Sequence, residues 1–143
     1  MSQDEQEIRS AIDDWAEGVR TKDIERCLAH YADDAVQFDI APPLKNTGKD
    51  VNRKNLEMWF PSFAGQIRYD ITDLQVYAAD DVAFAHCINH MTGTRSDGED
   101  TDVWLRATVG LRRVDAKWLI VHEHVSVPFY MDGSMRAAVD LKP

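Results

Sequence analysis

The sequence predicts an α+β domain in which helices gather on one face of a strongly curved antiparallel sheet. Three observations carry that expectation. Up to Gly65 the apolar residues recur at helical spacing, interrupted by one short β-branched and aromatic run. Beyond Gly65 the pattern changes to long segments rich in Val, Ile, Thr and aromatics. The breaks between those segments, Ala79-Asp80-Asp81, Ser96-Asp97-Gly98 and Asp115-Ala116, are short enough to force antiparallel neighbours. Helices first and strands afterwards is the ordering of an α+β fold.

The elements follow in order. Ser2 with Glu5 three residues on makes a capping box, and Ile8, Ala11, Ile12, Trp15, Ala16 and Val19 form one helical face behind it. Gly18 weakens this first helix near its end. Thr21-Lys22-Asp23 restarts a second, with Asp23 as N-cap and Ile24, Cys27, Leu28 and Tyr31 on its inner side. The run Ala35 to Asp39 reads as a short strand, and Ile40 to Thr47 as a loop. From Gly48 a third helix carries Val51, Asn55, Trp59 and Phe63 on one side, with Pro61 in its last turn. Segments 67–78, 82–95, 101–114 and 117–128 are the strands of the meander. The tail from Asp132 carries weak signals, with a short helix expected across Met135 to Val139.

Composition narrows the function classes. A chain of 143 residues suits one domain, residues 1–143, with a core that needs no disulfide. A net charge of −9 repels phosphate backbones and anionic lipid, so neither nucleic acid nor a membrane is an expected partner. The acidic opening MSQDEQE is followed by no apolar leader, which points to a soluble, cytoplasmic protein. Cys27 and Cys87 make no CxxC motif and read as small buried hydrophobes. His122-Glu123-His124 puts two imidazoles about 6.6 Å apart on one strand face. The pattern resembles the HxH of cupins, but cupins are all-β jelly rolls and this chain opens with three helices, so the pair reads as an interface or core pair and no metal and no cofactor is expected.

The stretch Leu28 to Asp39, LAHYADDAVQFD, is where chemistry is expected. Asp39 follows Phe38 just before the turn-rich Ile40-Ala41-Pro42-Pro43. A carboxylate at the mouth of an apolar segment is a candidate general base, because partial desolvation favours its accepting a proton. On local evidence alone an aspartate before a proline-containing turn is by default a turn residue.

Three N-terminal helices with ADDAVQFD between the second and third, and a last strand reading DAKWLIVHEH (Asp115 to His124), resemble the NTF2-like superfamily, most closely its SnoaL-like, ketosteroid-isomerase-like members. The segment RRVDAKWLIVHEHVS also resembles the association domain of calcium/calmodulin-dependent kinase II. The resemblance implies a cone-shaped roll with the helices on the concave face. It also implies that Asp39 occupies the place of the proton-shuttling carboxylate of ketosteroid isomerase. The oxyanion-holding tyrosine of that enzyme is matched by Trp15, which donates one N–H. Its protonated aspartate is matched by Val109, which donates nothing and so argues against steroid isomerisation as such.

With Val109 inward, alternation turns Val103, Leu105, Ala107 and Leu111 inward as well, and Trp104, Arg106, Thr108 and Arg112 outward. The same resemblance turns Phe84, His86, Ile88 and His90 inward. With Trp15, Tyr31, Phe38, Trp59 and Phe63 they are expected to line an aromatic cavity. His90 is then either an acid facing Asp39 or a satisfied half-buried histidine. Glu123, inward by alternation, is a second carboxylate of the site, unless it pairs with Arg106. The outer face, with Trp104, Arg106, His122 and His124, is expected to join two copies in a homodimer. The resulting expectation is a site for a small hydrophobic ligand: an isomerase or cyclase doing proton transfer next to a carbonyl. The alternatives are a binding module without catalysis and an assembly domain.

Overall fold

The structure, a computed structural model, describes residues 1–143. Helix α1 (Gln3–Arg20) is capped by Ser2, whose hydroxyl accepts from the Glu5 N–H. Helix α2 (Ile24–Leu28) is capped by Asp23 in the same way. Gly18 explains how α2 lies so close: a Cβ there would sit 2.7 Å from the Cys27 sulfur. What the sequence shows as a weak point in α1 is the place where the two helices touch.

Tyr31 does not close the second helix, as its spacing suggests, but opens β1 (Tyr31–Phe38). The short β2 (Asn46–Thr47) pairs antiparallel with β1. Gly48, at φ +97°, turns the chain from β2 into α3 (Lys49–Trp59), and a single 3₁₀ turn, Phe60–Ser62, follows at Pro61. Four long strands complete the chain: β3 (Phe63–Ala79), β4 (Val82–Arg95), β5 (Asp100–Val114) and β6 (Lys117–Ser126). The sheet order is β2-β1-β6-β5-β4-β3, antiparallel except where β1 runs parallel to β6. The tail forms turns and one bridge, Phe129 with Ala137, rather than a helix over 135–139.

Two apolar clusters fill the space between helices and sheet. Ile8 and Ile12 of α1 pack on Val109, Leu111, Trp118 and Ile120. Val19, Cys27, Leu28, Leu56 and Phe60 pack on Ile67, Tyr69 and Leu105. Trp15 and Ile71 touch both. Cys27 and Cys87 are buried free thiols, pushed up by burial to about 12 and about 11, so both remain protonated core residues.

The alternation expected on β5 holds: Val103, Leu105, Ala107, Val109 and Leu111 are buried. That expected on β4 is reversed. Ala83, Ala85, Cys87, Asn89 and Met91 face inward, so Phe84, His86, Ile88 and His90 lie on the convex face. The cause is the hairpin at Ser96-Asp97-Gly98, which sets Ala85 opposite Val109 and His90 opposite Trp104. Directly paired residues share a face, so an inward Val109 forces the odd positions of β4 inward.

Candidate active site in the cone

A cavity of about 390 Å³ opens between the helices and the concave sheet. Its aromatic wall is Trp15 from α1, Trp59 from α3 and Tyr69 from β3. The Trp15 and Tyr69 rings meet edge-on at 5.3 Å, and those of Trp59 and Tyr69 lie 6.2 Å apart. Asp39, Ile40, Ala41 and Pro42 form one lip of the mouth and Met58 another.

Glu123 is the carboxylate inside. Its position depends on two irregularities. Between Gly110 and Leu111 the β5–β6 register shifts by one, so the inward side of β6 passes from Trp118 and Ile120 to Glu123 and Val125. Along β1, the five steps from Tyr31 to Val36 run beside only two steps of β6, Ile120 to His122. Tyr31 and Gln37, six residues apart, therefore both reach Glu123: the Tyr31 hydroxyl donates to Oε2 at 2.7 Å and the Gln37 amide to Oε1 at 3.1 Å.

Burial raises the Glu123 carboxyl above its ordinary value of 4.5. The charge of Asp39 adds to that rise, and the Tyr31 and Gln37 hydrogen bonds oppose it without cancelling it. Burial and the neighbouring Glu123 charge likewise push the Tyr31 hydroxyl well up, so it stays a donor. Both carboxyl oxygens of Glu123 already accept a bond, so its proton, when present, occupies a remaining lone pair beside the cavity.

Three further polar groups line this space without a partner in the chain. The Trp15 indole N–H is buried and unbonded, and so are the Asn52 side-chain NH₂ and the Asn89 oxygen. Trp15 and Asn52 line the cavity; Trp15, Asn89 and Glu123 also line a small inner chamber over Val109. Native interiors pair nearly all such groups, so these are the ones open to a ligand or water.

Of the site residues expected from the sequence, Trp15, Tyr31, Asp39, Trp59 and Glu123 come together around the cavity, with Val109 in the inner chamber. Asp39 is exposed at the mouth, where its Oδ1 accepts from the Ile40 N–H at 2.7 Å. Phe63 is core, at 5 % exposure, rather than wall. Phe38 turns outward, edge-on to His122 and His124. His90 is not opposite Asp39: on the convex face it stacks on Trp104 at 4.1 Å and bonds Asp102 at 2.7 Å. Phe84 and His86 stack there with Tyr77. Sequence reasoning missed Gln37, Asn46, Asn52, Asn55 and Tyr69 as lining residues. For Gln37 the signal was present, two residues before Asp39 and so on the same strand face.

A helical layer over a curved, unclosed, mostly antiparallel sheet, with a cavity between them, defines the NTF2-like cone. Within that class the chain belongs to the SnoaL-like domain family, whose model matches residues 8–130. It is similar to an NTF2-like protein of unknown function from Pseudomonas putida KT2440, at 40% identity over 100% of this chain and 99% of that one, with a TM-score of 0.90. Two more distant structures share the fold. One is a ketosteroid isomerase-like protein from Erwinia carotovora atroseptica SCRI1043, with 22% identity, 88% and 97% coverage and a TM-score of 0.76. The other is a candidate scytalone dehydratase from Novosphingobium aromaticivorans DSM 12444, with 17% identity, 94% and 91% coverage and a TM-score of 0.80. No curated protein matches the chain. No helix is long and apolar enough to cross a membrane.

Proposed function

We propose that the cavity binds a small, largely apolar carbonyl compound and catalyses proton transfer next to its carbonyl, as an isomerase or cyclase does. Glu123 carries this reading. The Val109 position lacks the donor that a ketosteroid-isomerase-like site needs, but Glu123 lies directly across the β5–β6 ladder from it. Burial raises the Glu123 carboxyl, which favours its protonated form, and a protonated carboxyl is itself an oxyanion donor. Val109 is thus replaced by its neighbour on the next strand. With the ligand oxygen between the Trp15 N–H and the Glu123 O–H, Asp39 at the mouth takes a proton from the adjacent carbon. The charge then gathers on the oxygen, and the proton returns to another carbon.

The test is exchange of α-hydrogens for deuterium in cyclic ketones and enones, followed by NMR in D₂O. Exchange that is lost in Asp39→Asn, with ligand affinity retained, is the expected result; binding with no exchange in the wild type would remove the catalytic role. That outcome would leave a binding module, a reading favoured by the exposure of Asp39 and its bond to the Ile40 N–H. The same proposal includes a homodimer through the convex face, on which Tyr77 and Phe84 form an uncovered stack, 52% and 50% exposed, on the side that also carries Trp104, Arg106, His122 and His124. Sedimentation velocity at micromolar concentration decides it: a single monomer boundary would rule it out.

A further inference from the structure

One row of side chains crosses three neighbouring strands on the concave face. Asn46 of β2 stands opposite Gln37 of β1, and Gln37 stands beside Glu123 of β6. Strands lie about 4.8 Å apart, so Asn46 and Glu123 mark two ends of a polar strip about 10 Å long. Beside the Asn46 end α3 adds Asn52 and Asn55, which line the same cavity. Asn46 and Asn52 are only 6 % and 5 % exposed, and the Asn52 NH₂ is buried without a partner. None of the three asparagine side chains makes a hydrogen bond within the chain. Leaving the buried Asn52 NH₂ unpaired costs free energy unless something in the cavity bonds it, and Asn46 and Asn55 line the same wall.

Charge narrows what that is. The lining holds two carboxyl residues, Asp39 and Glu123, and no Lys, Arg or His. An anionic group on a ligand would meet the Asp39 charge and find no counter-ion in the lining.

We propose that Asn46, Asn52 and Asn55 form a second subsite that bonds an uncharged hydroxyl or carbonyl at the far end of the ligand, about 10 Å from the oxygen held by Glu123. The ligand class is therefore a neutral ring compound with oxygen at both ends. This rests on the reading of the cavity as a carbonyl-compound site and adds to it the second contact and the exclusion of acids.

Isothermal titration with three probes tests it: 4-phenylcyclohexanone, 4-(4-hydroxyphenyl)cyclohexanone, and 4-(4-oxocyclohexyl)benzoic acid. The wild type is expected to bind the hydroxyphenyl ketone about tenfold more tightly than the plain one, the worth of one added hydrogen bond, and the acid more weakly than either. Asn52→Leu removes the preference while retaining affinity for the plain ketone. Asn46→Leu does the same and serves if the Asn52 variant fails to fold by circular dichroism. Equal binding of the two neutral ketones by the wild type, or an undiminished preference in the folded variants, overturns the amide subsite and leaves the carbonyl site standing. Binding of none of the probes overturns both.

Discussion

The two faces of the sheet carry similar residue types in opposite states. On the convex face polar and aromatic groups satisfy one another: His90 lies flat on Trp104 and bonds Asp102, the Arg106 Nε–H donates to the Ser126 hydroxyl, and His122 Nδ1 lies 2.8 Å from the Val36 carbonyl. On the concave face the Trp15 N–H, the Asn52 NH₂ and the Asn89 oxygen have no partner, and a carboxyl is held where its charged form is disfavoured. His90, which the sequence offers as a partner for Asp39, instead forms a closed surface pair with Asp102. Polar groups that the fold buries and does not pair are the better mark of a site.

The contrast predicts effects of very different size. If the cavity works as proposed, Asp39→Asn lowers the rate of α-hydrogen exchange by about 10²- to 10⁴-fold, measured by NMR, with little change in ligand affinity. Trp15→Phe keeps the aromatic wall and deletes one donor, and should cost about 10²- to 10³-fold in the same rate. On the convex face Trp104→Ala is expected to lower unfolding free energy by about 1 kcal/mol through the lost stack, read by urea denaturation, and to leave the exchange rate within about twofold. A Trp104 variant that loses exchange as fully as Asp39→Asn would break the distinction between the faces.

A quieter test uses pH. Burial raises the folded-state carboxyl of Glu123, so between its ordinary 4.5 and the raised value the folded protein holds a proton that the unfolded chain has released. The Glu123 contribution to stability therefore falls as pH rises through that window. Glu123→Gln has no such proton to lose, and its stability profile between pH 4 and 8 should be the flatter one. Parallel profiles would show that Glu123 ionises as freely in the fold as outside it.

Much of this was legible beforehand, for reasons that differ by element. The caps at Ser2 and Asp23, the helical face of α1 and the four long strands follow from local spacing, and local spacing is what a chain reports directly. The inward side of β5 followed as soon as Val109 was placed. The resemblance turns Phe84, His86, Ile88 and His90 of β4 inward, and the pairing of β4 with β5 reverses that. Pairing about the Ser96-Asp97-Gly98 hairpin would have corrected it, since that turn makes odd residues face odd.

The amino-acid order determined the first helix and its cap, the four long strands, the domain's class, and the break after Asp39, because each depends on neighbours a few residues away. Which polar groups meet in the cavity was decided only by tertiary structure. Tyr31 and Gln37 converge on Glu123 through a slipped register between parallel strands, and one extra residue in β6 lets Glu123 share the inward side with Trp118 and Ile120. Such slips depend on how distant strands pack under the helices, and no local pattern in the chain encodes them.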